Sequence, residues 1–247
     1  MHVSDEAADA VKLIDRPLLA YDEPARRNSQ GTLWAFGDMG RPVAFMELFQ
    51  GPASQPAWFQ SLVRTDDRPL RLEAPDGRRW QPRRGVIARL NLDDAPRPAN
   101  GGAARLRQLK SLAKRFSAHE IWDPDDSRFE LRLLVQPIHR YDDAAHGIQD
   151  GAAFIFAYGT NPEIIMLLES LGTTLDNAHW RYSVFPTSSA ELHVRIDGRE
   201  VWTRPRVPGV LGLPTDEYWL FSLPLEAGPP SDEEDSSAGN ERTGAAK

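Results

Sequence analysis

An internal repeat constrains this chain more than any other feature. The segment PLLAYDEPARRNSQGTLWAFGDMGRPVAFMEL, Pro17 to Leu48, lies over PIHRYDDAAHGIQDGAAFIFAYGTNPEIIMLL, Pro137 to Leu168, at a fixed offset of 120 without a gap. Pro17, Tyr21, Asp22, Ala25, Gly31, Phe36, Pro42, Met46 and Leu48 recur as Pro137, Tyr141, Asp142, Ala145, Gly151, Phe156, Pro162, Met166 and Leu168, nine identities in 32 positions. Chance matching at average residue frequencies gives roughly two. Glu23 with Asp143, Trp34 with Phe154 and Phe45 with Ile165 are conservative pairs. Upstream, VKLIDRP from Val11 lies over LRLLVQP from Leu131. Downstream, with small gaps, Trp58, Leu70, Asp76-Gly77-Arg78 and Trp80 fall on Trp180, Leu192, Asp197-Gly198-Arg199 and Trp202. This reads as a tandem duplication of a ~75-residue unit, a feature that decides how every other segment is interpreted.

Each copy reads as β-strands. GTLWAF and PVAFMELF flank the glycine-containing turn GDMGR, and AAFIFAY and EIIMLLE flank GTNP, which are hairpin signals. PLRLE and ELHVRI alternate apolar with polar, so each buries one face. Both are followed by Asp-Gly-Arg, and Asp-Gly favours the positive φ angles of tight hairpin turns. EIIMLLESL also fits a short helix, because the proline before it is a helix-start signal. Between the copies, AARLRQLKSLAKRF spaces Leu106, Leu109, Ala113 and Phe116 as one apolar helix face, with Arg105, Arg107, Lys110, Lys114 and Arg115 around much of the rest. Such a basic face suits an acidic partner, for instance the chain's own SDEED stretch, or simply water.

The expected fold class is mainly β: antiparallel sheets from two copies of one β unit, with one amphipathic α-helix between them. The expected organisation is a flexible N-terminus over 1–10, copy one over 11–85, and a linker over 86–130 with its helix at about 103–118. Copy two and a closing strand, DEYWLFSLPL, follow over 131–225. The acidic tail over 226–247 has almost no apolar residues to offset the entropy of ordering. One body is expected, because five-stranded units expose edges that packing the copies covers.

Composition removes several function classes. A net charge of -7 and a pI near 5.4 argue against nucleic acid, which needs clustered Lys and Arg. With no cysteine, disulfides, thiolate nucleophiles and Cys-based metal sites are excluded. The start, MHVSDEAADAVKL, has no basic end followed by an apolar run, so the sequence as given carries no signal peptide and reads as cytoplasmic. No transmembrane segment is expected, since no window reaches the ~18 apolar residues of a membrane span. No P-loop, G-x-G-x-x-G or G-x-S-x-G pattern is present, and no cofactor is expected.

The residues shared by the copies, such as Tyr21-Asp22 and Tyr141-Asp142, read first as fold devices: a packed ring and a turn-starting carboxylate. Positions where the copies differ are better candidates for a task. His139 replaces Leu19, Asp150 replaces Gln30, Asn161 replaces Arg41, and Glu163 replaces Val43. His139, Asp142, Asp150 and Glu163 are therefore the candidate catalytic residues, with Asp143 and His146 nearby, since a His among carboxylates can do acid–base work or hold a divalent metal. HRYDDAAH matches no known zinc spacing, so no metal site is assigned. Tyr158, Thr160 and Asn161 of YGTNPE are the candidate binding residues, set against a plain Asn-Pro turn.

Across PLLAYDEP, GTLWAFGDMGRPVA, AARLRQLKSLAKRF, RLLVQPIHRYDD, DGAAFIFAYGTNPE and AELHVRIDGREVW the chain resembles a family of uncharacterised proteins of planctomycete-type bacteria, over about residues 11–223. The resemblance implies no known activity and no catalytic residues. Many similar sequences carry an export signal, so it implies export as an alternative location. Two functional readings remain open. One is a non-catalytic β-rich binding or structural module with an unknown protein or glycan ligand in the groove between copies. The other is a hydrolase or metal-dependent enzyme using the His/Asp cluster of copy two.

Overall fold

The computed structural model describes residues 2–4, 10–23, 28–37, 40–51, 57–74, 77–83, 85–122, 127–172, 177–207 and 212–223. The first half contributes β1 (His2–Ser4), β2 (Ala10–Val11), β3 (Leu19–Glu23), β4 (Asn28–Phe36), β5 (Ala44–Gln50), β6 (Trp58–Arg64), β7 (Arg71–Glu73) and β8 (Arg79–Trp80). The connection contributes β9 (Leu90–Asn91), α1 (Gly102–Ala113) and β10 (Phe116–Trp122). The second half contributes β11 (Ser127–Asp143), β12 (Ile148–Tyr158), β13 (Asn161–Leu171), β14 (His179–Pro186), β15 (Glu191–Ile196) and β16 (Arg199–Arg204), and β17 (Tyr218–Leu223) closes the described chain.

Every strand pair among the described residues is antiparallel. Three sheets result, in the orders β2-β1-β7-β8, β17-β6-β5-β4-β3 and β16-β15-β10-β11-β12-β13-β14-β9. β12 and β13 are buried on both faces, which is why they read as unbroken apolar runs. EIIMLLESL is strand, and every one of its backbone partners lies in β12 or β14. The Asp-Gly turn between β15 and β16 has φ of 48° at Asp197 and 83° at Gly198, the two positive values a two-residue hairpin turn requires.

Three cores separate the layers. The central one joins Leu33, Ala35, Phe45 and Val63 of the first half to Ala153, Ile155, Ile165 and Phe185 of the second, so the halves form one body. The outer face of β12–β14 packs on α1, β10 and β15 through Phe154, Phe156, Leu109, Leu112 and Leu192. The outer face of the five-stranded sheet packs on β7 and β8 through Phe36, Leu62, Leu72 and Trp80.

The structure corrects three expected boundaries. The helix ends at Ala113 and not near 118, because Phe116 opens β10 and pairs with Ile196. The linker is built into the eight-stranded sheet: β9 pairs with β14, and β10 with β11 and β15. The N-terminus expected to be flexible supplies β1, paired with β7. The tail over 226–247 lies outside the described residues. No helix among the described residues is long and apolar enough to cross a membrane.

Candidate functional site

The two halves repeat one ladder. Tyr21 pairs with Gly31, Thr32 with Leu48 and Trp34 with Met46; Tyr141 pairs with Gly151, Ala152 with Leu168 and Phe154 with Met166. The offset is 120 throughout. The repeated glycines sit under the tyrosine rings, where a Cβ would come within 2.1 Å of a Tyr21 ring carbon and 2.4 Å of a Tyr141 ring carbon. The repeated prolines are equally explained. Thr65 donates its hydroxyl to the Pro42 carbonyl and its N–H to the Val43 carbonyl, at 2.8 and 2.9 Å. Thr187 does the same to Pro162 and Glu163, at 2.8 and 2.9 Å.

The halves differ at the ends of the central core. In the first half, Tyr21 donates to Glu47, and Phe49 and Phe59 stack 5.3 Å apart. In the second half the residues at the same ladder positions are Glu169 and Arg181. Glu169 accepts from the Tyr141 hydroxyl at 2.8 Å, from Arg181 Nη2 at 2.8 Å and from Arg41 Nε at 2.6 Å. Arg41 reaches it across the interface from the turn between β4 and β5. Burial pushes the Tyr141 hydroxyl well above its ordinary pKa, and the Glu169 charge adds to that. Burial alone would raise Glu169, but Arg41 and Arg181 outweigh it and hold the carboxyl below its usual range.

A cleft of about 630 Å³ opens where the ends of β6 and β14 meet β16, the connector at 83–88 and the turn before β17. Buried Val63, Ile87, Phe185 and Tyr218, with Trp202, make its apolar wall, and Val86 stands 89% exposed at its lip. Three arginines line it. Arg64 is buried; its Nη2 donates to Glu217 at 2.6 Å and to the Gly85 carbonyl at 3.1 Å, while its Nε has no partner among the described residues. Arg204 lies 4.9 Å over the Tyr218 ring and donates Nη1 to the Ser188 carbonyl at 2.6 Å. No carboxylate among the described residues forms an ion pair with it. Burial therefore lowers its pKa, and Tyr218 and Asp216 only partly oppose that. Arg83 is exposed at the rim.

A half-buried guanidinium without a counter-ion is costly, and its planar fork suits a carboxylate or phosphate. The acidic groups of the cleft are already engaged: Glu217 holds Arg64, and Asp216 accepts the Leu213 N–H at 2.9 Å. The cleft therefore combines aromatic walls with spare cationic donors, a combination chemically able to pair with an organic anion.

The candidates read from sequence lie elsewhere. His139 stacks on Tyr141 at 5.7 Å in the central core, and burial lowers its pKa against a hydrogen bond with the Gly40 backbone. Asp150 is buried on the opposite, helix-facing side, where it accepts from Arg140 Nε at 2.8 Å and Arg105 Nε at 3.0 Å. Asp142 is exposed, and Asp143 pairs with His146 at 2.8 Å. Glu163 is buried and accepts from Asn161 at 2.6 Å. Tyr158 packs edge-on against Phe129 at 5.0 Å, and Thr160 donates to the Asp22 carbonyl. His139 and Asp150 are thus not brought together. Among the described residues no group of three or more His, Asp or Glu is placed to hold a metal.

Sequence reasoning missed Arg64, Arg83 and Arg204, and also Glu169 and Arg181. The last two carry a readable signal: charged residues standing where the matching ladder positions of the first half have phenylalanine. No family model, curated protein or solved structure matches the chain.

Proposed function

We propose that the protein is a non-catalytic β-rich binding module whose site is the cleft between the halves, and whose ligand is an organic anion with a flat apolar body. Arg204 carries this reading. It is a cation drawn into the cleft wall, stacked on Tyr218 and lacking a carboxylate partner, with Arg64 and Arg83 beside it. A ligand carboxylate or phosphate supplies the missing charge, and Phe185, Trp202 and Tyr218 cover its body. The hydrolase or metal-dependent alternative drew on His139, Asp142 and Asp150 in one cleft, and no observation favours it. The matched ladders support a tandem duplication, and kinship with the uncharacterised planctomycete-type family belongs to the same proposal.

The test is saturation-transfer NMR and calorimetric titration with 2-naphthoate, and with 2-naphthol as the uncharged control. The acid binds the wild type, and the naphthol binds at least tenfold more weakly. Arg204→Gln loses at least tenfold in affinity for the acid, as expected for one charge-assisted hydrogen-bonding group of about 1.5–3 kcal/mol. Equal affinity in wild type and variant, or equal binding of acid and naphthol, overturns the assignment.

A further inference from the structure

A second cleft, about 420 Å³, lies on the other side of the connector, over the Glu169 end of the central core. Arg41, Arg68, Arg89 and Arg181 line it together with Asp66 and Asp67, and Glu169 lies beneath Arg41 and Arg181. The connector divides the two clefts: Ile87 faces the larger one, its N–H is held by Asp67, and Arg89 faces the smaller one.

The charges here form a shared network. Arg41 and Arg181 share Glu169, Arg41 and Arg68 share Asp66, and Arg89 pairs with Asp67. Four guanidiniums thus share three carboxylates, and a fourth carboxylate, Asp143, holds His146 at the mouth. The donors are in excess. Arg41 uses Nε and Nη1 on Glu169, Asp66 and the Thr65 carbonyl, while its Nη2 is buried with no partner among the described residues. The Arg41 side chain is only 3% exposed, so this donor cannot turn to bulk water.

The molecule contains its own control. At the matching end of the first half, the same ladder positions hold the stacked Phe49 and Phe59, and Asn161 stands where Arg41 does. The fold is therefore complete without these charges. Buried ion-pair networks are seldom more stabilising than the apolar packing that can replace them. A network retained at one end, with four guanidiniums at one cleft and unused donors on Arg68 and Arg89, fits a resident anion better than a brace.

We infer that this second cleft binds a small inorganic oxyanion of the phosphate class. The spare donors of Arg68 and Arg89 hold it at the mouth, and the buried Arg41 and Arg181 lend their charge from beneath. This inference is independent of the organic-anion reading of the larger cleft.

The experiment is calorimetric titration with inorganic phosphate at constant ionic strength, with sodium chloride as the blank. It uses the full chain as wild type, as Arg68→Gln/Arg89→Gln, as His146→Glu and as Arg204→Gln. His146 is 59% exposed at the mouth, so His146→Glu adds a repelling charge without touching the buried network. Phosphate binds the wild type above the chloride blank. His146→Glu and the double variant each weaken it at least tenfold, and Arg204→Gln leaves it within twofold. No phosphate heat above the blank in the wild type overturns the inference. So does unchanged affinity in a folded His146→Glu, whatever the fate of the double variant. Loss in Arg204→Gln alone assigns the phosphate to the larger cleft and overturns it equally.

Discussion

Tyr141, Gly151 and Glu169 show how one side chain can serve both fold and site. The ring lies on a glycine that has no Cβ to lift it, and the hydroxyl then meets Glu169. Gly151→Ala is expected to cost about 1–3 kcal/mol through overpacking, read as a lower urea midpoint at unchanged slope. Gly31→Ala, under Tyr21, should cost a similar amount. Glu169 makes a pH prediction. Its carboxyl is held below the ordinary value in the folded chain, so its contribution is present above the unfolded pKa of about 4.3. That contribution is lost as pH falls through the folded value. Glu169→Gln removes the carboxylate, leaving Arg181 without its ion pair and Arg41 with Asp66 alone, at a cost of about 3–5 kcal/mol at neutral pH. Urea midpoints measured down to pH 3 should therefore fall less steeply in the variant than in the wild type.

At the scale of elements, β11 carries the clearest imprint of the repeated letters. Leu134 pairs with Ile155 and His139 with Ala153, so three extra residues bulge from this strand around Pro137. Proline has no N–H for the ladder and belongs at such a bulge. The first half repeats it around Pro17, between the Leu13–Phe36 bridge and the Leu19–Leu33 pair. Asp150 acts at this scale as well, tying α1 to β11 through Arg105 and Arg140. Asp150→Ala should cost about 1–3 kcal/mol in denaturant while leaving naphthoate affinity within twofold. The hairpins and the Asp-Gly turn were legible in sequence because their chemistry is local. The helix end was not, because Phe116 continues the apolar spacing and only its distant partner Ile196 draws it into a strand. The ungapped match of the two segments stops at Leu48 and Leu168, one residue short of Phe49 and Glu169, the first position where the ends of the core diverge. Arg204 gave no signal at all, since β17 and the connector build its surroundings from remote parts of the chain.

On the scale of the whole molecule, the halves are interdependent through the central core and through β17, which crosses back to pair with β6 of the first half. Tyr218 and Leu220 fill the central core, and Trp219 and Phe221 the outer one. A chain ending at Val207 would leave the β6 edge open and both cores short of aromatic side chains. Such a truncation should show no cooperative thermal transition by circular dichroism, whereas a native-like melt would refute the dependence. The same connection sets a clock during synthesis. The partner of β6 leaves the ribosome about 160 residues after β6 itself, which at roughly 5–20 residues per second is a wait of about ten to thirty seconds. The half of the protein made first is thus the half finished last, and for that interval its sheet presents an unpaired edge to the cell, where a chaperone or a second nascent chain can reach it before the chain's own last strand arrives.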